Sequence, residues 1–250
     1  MEKRTVSQAG KLAFTLAEGV SHGDIFNGFH KIAFTLAEVL ITLGIIGIVA
    51  AMTLPSLVNK VQNKELEVGL KKAYAVIQSA FNQMTYDEGQ TVNVSNYPSY
   101  SFLPKFKKYF KVVKDCGTNL CERSFPDANG NLGASDNYKT YNNKVAGNTY
   151  LDDGQVFIAD GMFLMVENMR NGPFLFITVD VNGYNKKPNR WGHDLFTFQV
   201  MPNGKLLPMG ADGTQFGSEY CTETSPNALN GIGCTYKALT DKNYFKNLPK

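Results

Sequence analysis

Histidine is nearly absent. His22, His30 and His193 are the only three in 250 residues, and there is one tryptophan, Trp191. Charge is thin too. Charged residues make up 19% and the net charge is +3, so no strong basic field calls for nucleic acid. No glycine-rich phosphate loop and no nucleophile elbow is present. With so few proton-transfer groups, the expectation is a protein that is not an enzyme. Cysteine is limited to four residues in two local pairs, Cys116 with Cys121 in CGTNLC and Cys221 with Cys234 in CTETSPNALNGIGC. Neither pair has the two-residue spacing of a zinc knuckle. An even count in close pairs fits two disulfides if the domain is exported, and leaves no thiol for a Cys–His pair.

What is plentiful is Gly, Asn, Tyr and Phe, a composition that suits an extracytoplasmic, β-rich domain. The chain is long enough for one ordinary domain plus an extension. The extension stands out at once. From Val39 to Asn59 run 21 positions without a charge. A helix of that length spans about 30 Å, the hydrocarbon thickness of a bilayer. No polar face interrupts it, as one would in a buried helix of a soluble core. His30 and Lys31 precede it, so the N-terminal side is expected to stay cytoplasmic and the rest to lie outside. A cleaved secretory signal is one alternative, with Val49-Ala50-Ala51 as its cut. It would be about 51 residues long against the usual 15–30. An uncleaved anchor is another, and it leaves Glu38 unexplained.

Glu38 is the one carboxylate at the mouth of this run, and carboxylates at membrane depth usually have a partner. A cut between Ala33 and Phe34 would provide one, because the new α-amine, with a pKa near 8, is largely cationic at neutral pH. Glu38 of one subunit can then neutralise the amine of the next within a packed bundle of helices.

Residues 33–55, AFTLAEVLITLGIIGIVAAMTLP, resemble the N-terminal processing and methylation segment of type IV pilins and type II secretion pseudopilins. In that family the glutamate is fifth after the cut and a proline is often twenty-second; Glu38 and Pro55 stand in those registers here. The departure is Ala33, where the family usually has Gly. The resemblance implies a leader of residues 1–33 removed by prepilin peptidase, methylation at Phe34, and a transmembrane and polymerisation helix over 34–58. The partners it implies are other pilin or pseudopilin subunits and an inner-membrane assembly platform. The implied function is that of a structural subunit of a filament or pseudopilus, single-pass in the inner membrane, with its C-terminal domain periplasmic or extracellular. The alternative is a single-pass anchored protein whose outer domain binds something. A near copy of the motif's start, KLAFTLAE at 11–18, is followed by Asp24 and two histidines. It cannot span a membrane and reads as a local duplication in a long leader, with a second processing site as the alternative.

Beyond Pro55 the apolar spacing stays helical. Leu66, Leu70, Ala73, Val76, Ile77, Ala80, Phe81 and Met84 form a stripe, with Lys60, Lys64, Glu65, Glu67, Lys71 and Lys72 opposite. The spacing predicts an amphipathic continuation over 59–86, and Pro55 is expected to kink or loosen the helix. The domain itself is expected over 87–250. Residues 86–152 read as a long loop region with short elements. Strand patterns follow at 155–160, 162–168, 173–181, 194–200 and 205–209, with turns at Asp160-Gly161 and Asn203-Gly204. The expected fold class is α+β: a long N-terminal helix packed on an antiparallel sheet of four to five strands.

Two further stretches are open to chemistry. In DVNGYNKKPNRWGHD (180–194), Asp180, Asn182 and Asp194 can offer oxygens to calcium. Alternatively Asn182-Gly183 turns the chain and the Asp side chains cap backbone amides. Tyr97, Tyr100, Tyr109 and Phe110, with Lys105, Lys107, Lys108 and Lys111 nearby, suit single-stranded DNA or, more simply, loop packing.

Overall fold

The computed structural model describes residues 35–118, 121, 135–147, 150–168 and 174–249. Ala33, Phe34 and the 11–18 copy lie outside the described residues. The chain forms two units that meet at Val49–Ala50 in sequence.

Helix α1 runs over Leu36–Glu88, 53 residues, and continues through Pro55. A proline removes one N–H from the ladder without ending the helix here. In the second unit the predicted stripe is buried as Leu66, Leu70, Ala73, Ile77, Ala80, Phe81 and Met84. Burying one such large side chain is worth about 1.5–3 kcal/mol. On the outer face Glu67 accepts from Lys64 at 3.0 Å and Lys71 at 2.5 Å. Exposed pairs at this spacing add only about 0.3–0.5 kcal/mol each.

The sheet is antiparallel throughout and has six strands. After α2 (Phe102–Phe106) come β1 (Val112–Asp115), the small β2–β3 pair (Ser135–Lys139 and Val145–Ala146), then β4 (Gln155–Ile158), β5 (Phe163–Glu167), β6 (Phe176–Asp180), β7 (Leu195–Val200) and β8 (Leu206–Pro208). The order is β1-β4-β5-β6-β7-β8. Strands β4 to β8 correspond to the five expected segments. The turn at Asp160-Gly161 forms with Gly161 at φ +82°, and that at Asn203-Gly204 with Gly204 at +78°.

The extra strand, β1, is mostly exposed and sits at the sheet edge, which is why its VVKD sequence carries little strand signal. The region expected as loop also contains α2. Its Phe102, Leu103 and Phe106, with Tyr97, join the core beside α1. Tyr97 is 1% exposed, so this aromatic cluster is packing; Lys105 lies 5.3 Å from the Tyr97 ring centroid.

Both faces of the sheet are covered. Leu164, Val166, Ile177, Val179, Phe196 and Phe198 face the α1 stripe, where Tyr74 stacks on Phe198 at 5.4 Å. The alternate residues Phe163, Met165, Phe176 and Leu195 face a second cluster with Tyr138, Trp191, Phe216 and Ile232. That two-sided cover explains why β5, β6 and β7 are buried at every position. The disulfides Cys116–Cys121 and Cys221–Cys234 are both formed, with Cα separations of 5.2 and 4.9 Å. Cys234 begins the short C-terminal helix α3 (Thr235–Thr240) as its N-cap.

Ile77→Ala should remove about 2–5 kcal/mol of stability by opening a cavity under the sheet. Urea unfolding of the detergent-solubilised protein, followed through the fully buried Trp191, measures it. A loss below about 1 kcal/mol would show that the stripe does not carry the packing.

Candidate functional site

Two regions hold the residues singled out from the sequence, one in each unit. The first is the start of α1. Thr35 precedes the helix and Glu38 lies in its first turn. The Thr35 backbone N–H donates to Glu38 Oε2 at 2.7 Å, the Thr35 hydroxyl donates to the same oxygen at 2.8 Å, and the Glu38 N–H donates to Thr35 Oγ1 at 3.2 Å. This is a reciprocal capping box, built by the spacing Thr-x-x-Glu. It satisfies helix-end N–H groups that would otherwise lack partners. The Thr-Leu-Ala-Glu spacing of residues 35–38 is the signal in the sequence for this box.

The helix that this box opens is apolar on all sides. Leu36, Leu40, Ile41, Leu43, Ile45, Ile46, Ile48 and Val49 are each more than half exposed. Its best 18-residue window has mean hydropathy 2.2 and none of it is buried. Among the described residues this is one helix long and apolar enough to cross a membrane.

The second region is the 180–194 loop, held between β6 and β7. Asp180 and Asp194 are both fully buried. Asp180 Oδ1 accepts from the N–H groups of Asn182 at 3.3 Å and Gly183 at 2.9 Å, and Oδ2 accepts from the Tyr138 hydroxyl at 2.7 Å. Asp194 Oδ2 accepts from Asn189 N–H at 2.7 Å and Oδ1 from Arg190 N–H at 2.6 Å. Asn182 donates to the Lys187 carbonyl at 3.2 Å, and Asn189 to that of Tyr184 at 2.9 Å. Gly183 has φ +79°, and a Cβ there would lie 2.4 Å from the Gly161 carbonyl oxygen. That close approach to the β4–β5 turn requires glycine.

So the structure brings Asp180, Asn182 and Asp194 together, and all four carboxylate oxygens already serve protein donors. This is the geometry of the capped turn. The amide oxygens of Asn182 and Asn189 are buried without a partner among the described residues. Burial drives both aspartates toward the protonated form, Asp194 up to about 7, with Asp194's charge adding to the rise at Asp180 and the donated hydrogen bonds working against it. Tyr138, which completes Asp180, lies 42 positions upstream, and nothing in the sequence points to it. Arg190 is also buried here, donating to the Tyr141 carbonyl at 2.5 Å. No cysteine is free among the described residues.

Comparison with family models, with curated proteins and with solved structures found no match.

His193, at the end of the loop, is buried, and its Nε2 has no partner among the described residues. Burial, and then the nearby Arg190 charge, depress it to about 3 from an ordinary 6.5. A depressed histidine gives stability that is complete above 6.5 and lost as pH falls toward 3. Between pH 6.5 and 5 the loss amounts to about 2 kcal/mol. Denaturation at pH 7.5 and 5.0 should therefore show a larger drop for wild type than for His193→Leu, by about that amount. Equal drops would mean that His193 protonates freely in the fold.

Proposed function

We propose that this chain is a structural subunit of a type IV pilus-like filament or type II secretion pseudopilus, anchored by α1 before assembly. The observation that carries the reading is the fully exposed apolar stretch of α1, opened by A-F-T-L-A-E with Glu38 and Pro55 in the registers described above. A helix of 53 residues with an apolar first half and a core-packed second half supports the same reading. In it, prepilin peptidase cuts after Ala33 and methylates Phe34. The helix then holds the subunit in the inner membrane with its disulfide-bonded domain outside, until the platform adds it to other subunits. Gly47 and Ala51 are spaced as a small-xxx-small pair, which lets a neighbouring helix approach closely.

A second reading, a single-pass anchor for an outer binding domain, is favoured by one specific observation. The Glu38 carboxylate already has partners inside its own chain, at Thr35. It can be a helix cap rather than an assembly charge.

Glutamine separates the two, because it can fill the capping box but carries no charge. If Glu38 neutralises a neighbour's amine, Glu38→Gln and Glu38→Ala both reach the membrane and are cut after Ala33. Both are then strongly depleted from sheared filaments or cross-linked oligomers. If Glu38 only caps α1, Glu38→Gln assembles, or stays unassembled, just as wild type does. Wild-type levels of oligomer from Glu38→Gln would remove the charge from the assembly mechanism.

A further inference from the structure

A group of carboxylates that neither reading uses lies at the opposite end of the β4–β5 hairpin from its turn. Strands β4 and β5 pair Gln155 with Met165 and Val156 with Leu164. Continued by two residues, that register sets Asp153 against Glu167, and like charges facing each other across a sheet are unfavourable. Asp152 adds a third. One oxygen from each of Asp152, Asp153 and Glu167 lies within 4.8 Å of the others.

The burial makes this more than a surface patch. Asp153 is 6% exposed and Glu167 is 4% exposed. Asp153 Oδ2 accepts from the Asn168 N–H at 2.8 Å, which fixes its orientation. Glu167 Oε2 is buried with no hydrogen-bond partner among the described residues. Neither side chain forms an ion pair with lysine, arginine or histidine among the described residues. A buried, unpartnered carboxylate oxygen beside two more carboxylates is costly unless a cation or a proton completes it. Burial, then the charges of Asp153 and Asp152, and last a hydrogen bond shared with Asp153, raise Glu167 to about 8, so a proton holds this pair when no cation does.

We propose that Asp152, Asp153 and Glu167 bind one hard divalent cation, calcium in preference to magnesium. The donors are all oxygens, which excludes the soft-metal preference of thiolate sites. Magnesium demands near-ideal octahedral geometry and gives up its waters reluctantly, whereas calcium accepts irregular sets of carboxylate oxygens, so a cradle of three carboxylates suits calcium better. Asp152, partly exposed, leaves the open edge through which an ion and its waters enter. The ion would pin the residues before β4 to the end of β5, replacing a repulsive cross-strand pair with a shared ligand.

The test is calorimetric titration of calcium chloride into the chelator-treated, full-length protein in detergent. Wild type should bind one calcium per chain with a dissociation constant on the order of 0.1–1 mM. Glu167→Gln and Asp153→Asn should each weaken binding about tenfold or more. Glu167→Gln keeps the size and neutrality of the protonated glutamate that the fold holds without the ion, so it should fold; an unchanged Trp191 emission spectrum checks this. Asp212→Asn, an exposed carboxylate elsewhere, should bind as wild type. Magnesium chloride should bind more weakly than calcium. Absence of binding at millimolar calcium would overturn the proposal. So would binding that survives Glu167→Gln but is lost in Asn182→Ala, which would place the ion in the 180–194 loop.

Discussion

Apolar surface has to leave water, and the first half of α1 offers no face that does so within the described chain. Each Leu or Ile in that stretch forgoes about 1.5–3 kcal/mol by staying exposed, and at least eight large apolar residues there are more than half exposed. A single exposed stripe would suit docking to one partner. Exposure on all sides suits lipid, or a bundle of like helices that surrounds each member. The capping box fits that demand, since backbone N–H groups at the end of a membrane helix have little water to turn to.

The second half of the same helix meets its own sheet. There the stripe from Leu66 to Met84 is covered by alternate residues of β5, β6 and β7. The other alternate residues meet Trp191, Tyr138 and the segment up to Ile232. The 180–194 loop connects these layers. Its two buried aspartates organise the backbone between β6 and β7, with Tyr138 supplying one donor from another part of the chain. The two disulfides close short loops of this domain, and the longer, Cys221–Cys234, starts α3.

Much of this was legible locally. The 3.6-residue stripe of α1, the period-2 strands and the Asp-Gly and Asn-Gly turns depend on neighbours in sequence, and each formed where its pattern lay. So did both cysteine pairs, whose separations of five and 13 residues leave little choice of partner. What was illegible depends on distant chain. Strand β1 is an exposed edge whose pairing is set by β4, and α2 is five residues long. The cover on the second sheet face comes from segments without regular periodicity. Tyr138 on Asp180, and Asp153 facing Glu167, are products of register and tertiary packing. The capping box lies in the local Thr-x-x-Glu spacing, because both of its partners belong to one turn.

The account depends most on the chemistry at the start of the apolar helix. Mass spectrometry of the protein extracted from native membranes tests it directly. The account predicts a chain lacking residues 1–33 whose first residue is N-methylated Phe34. A chain that still begins at Met1, or one that begins near Met52 after loss of the apolar segment, would contradict it.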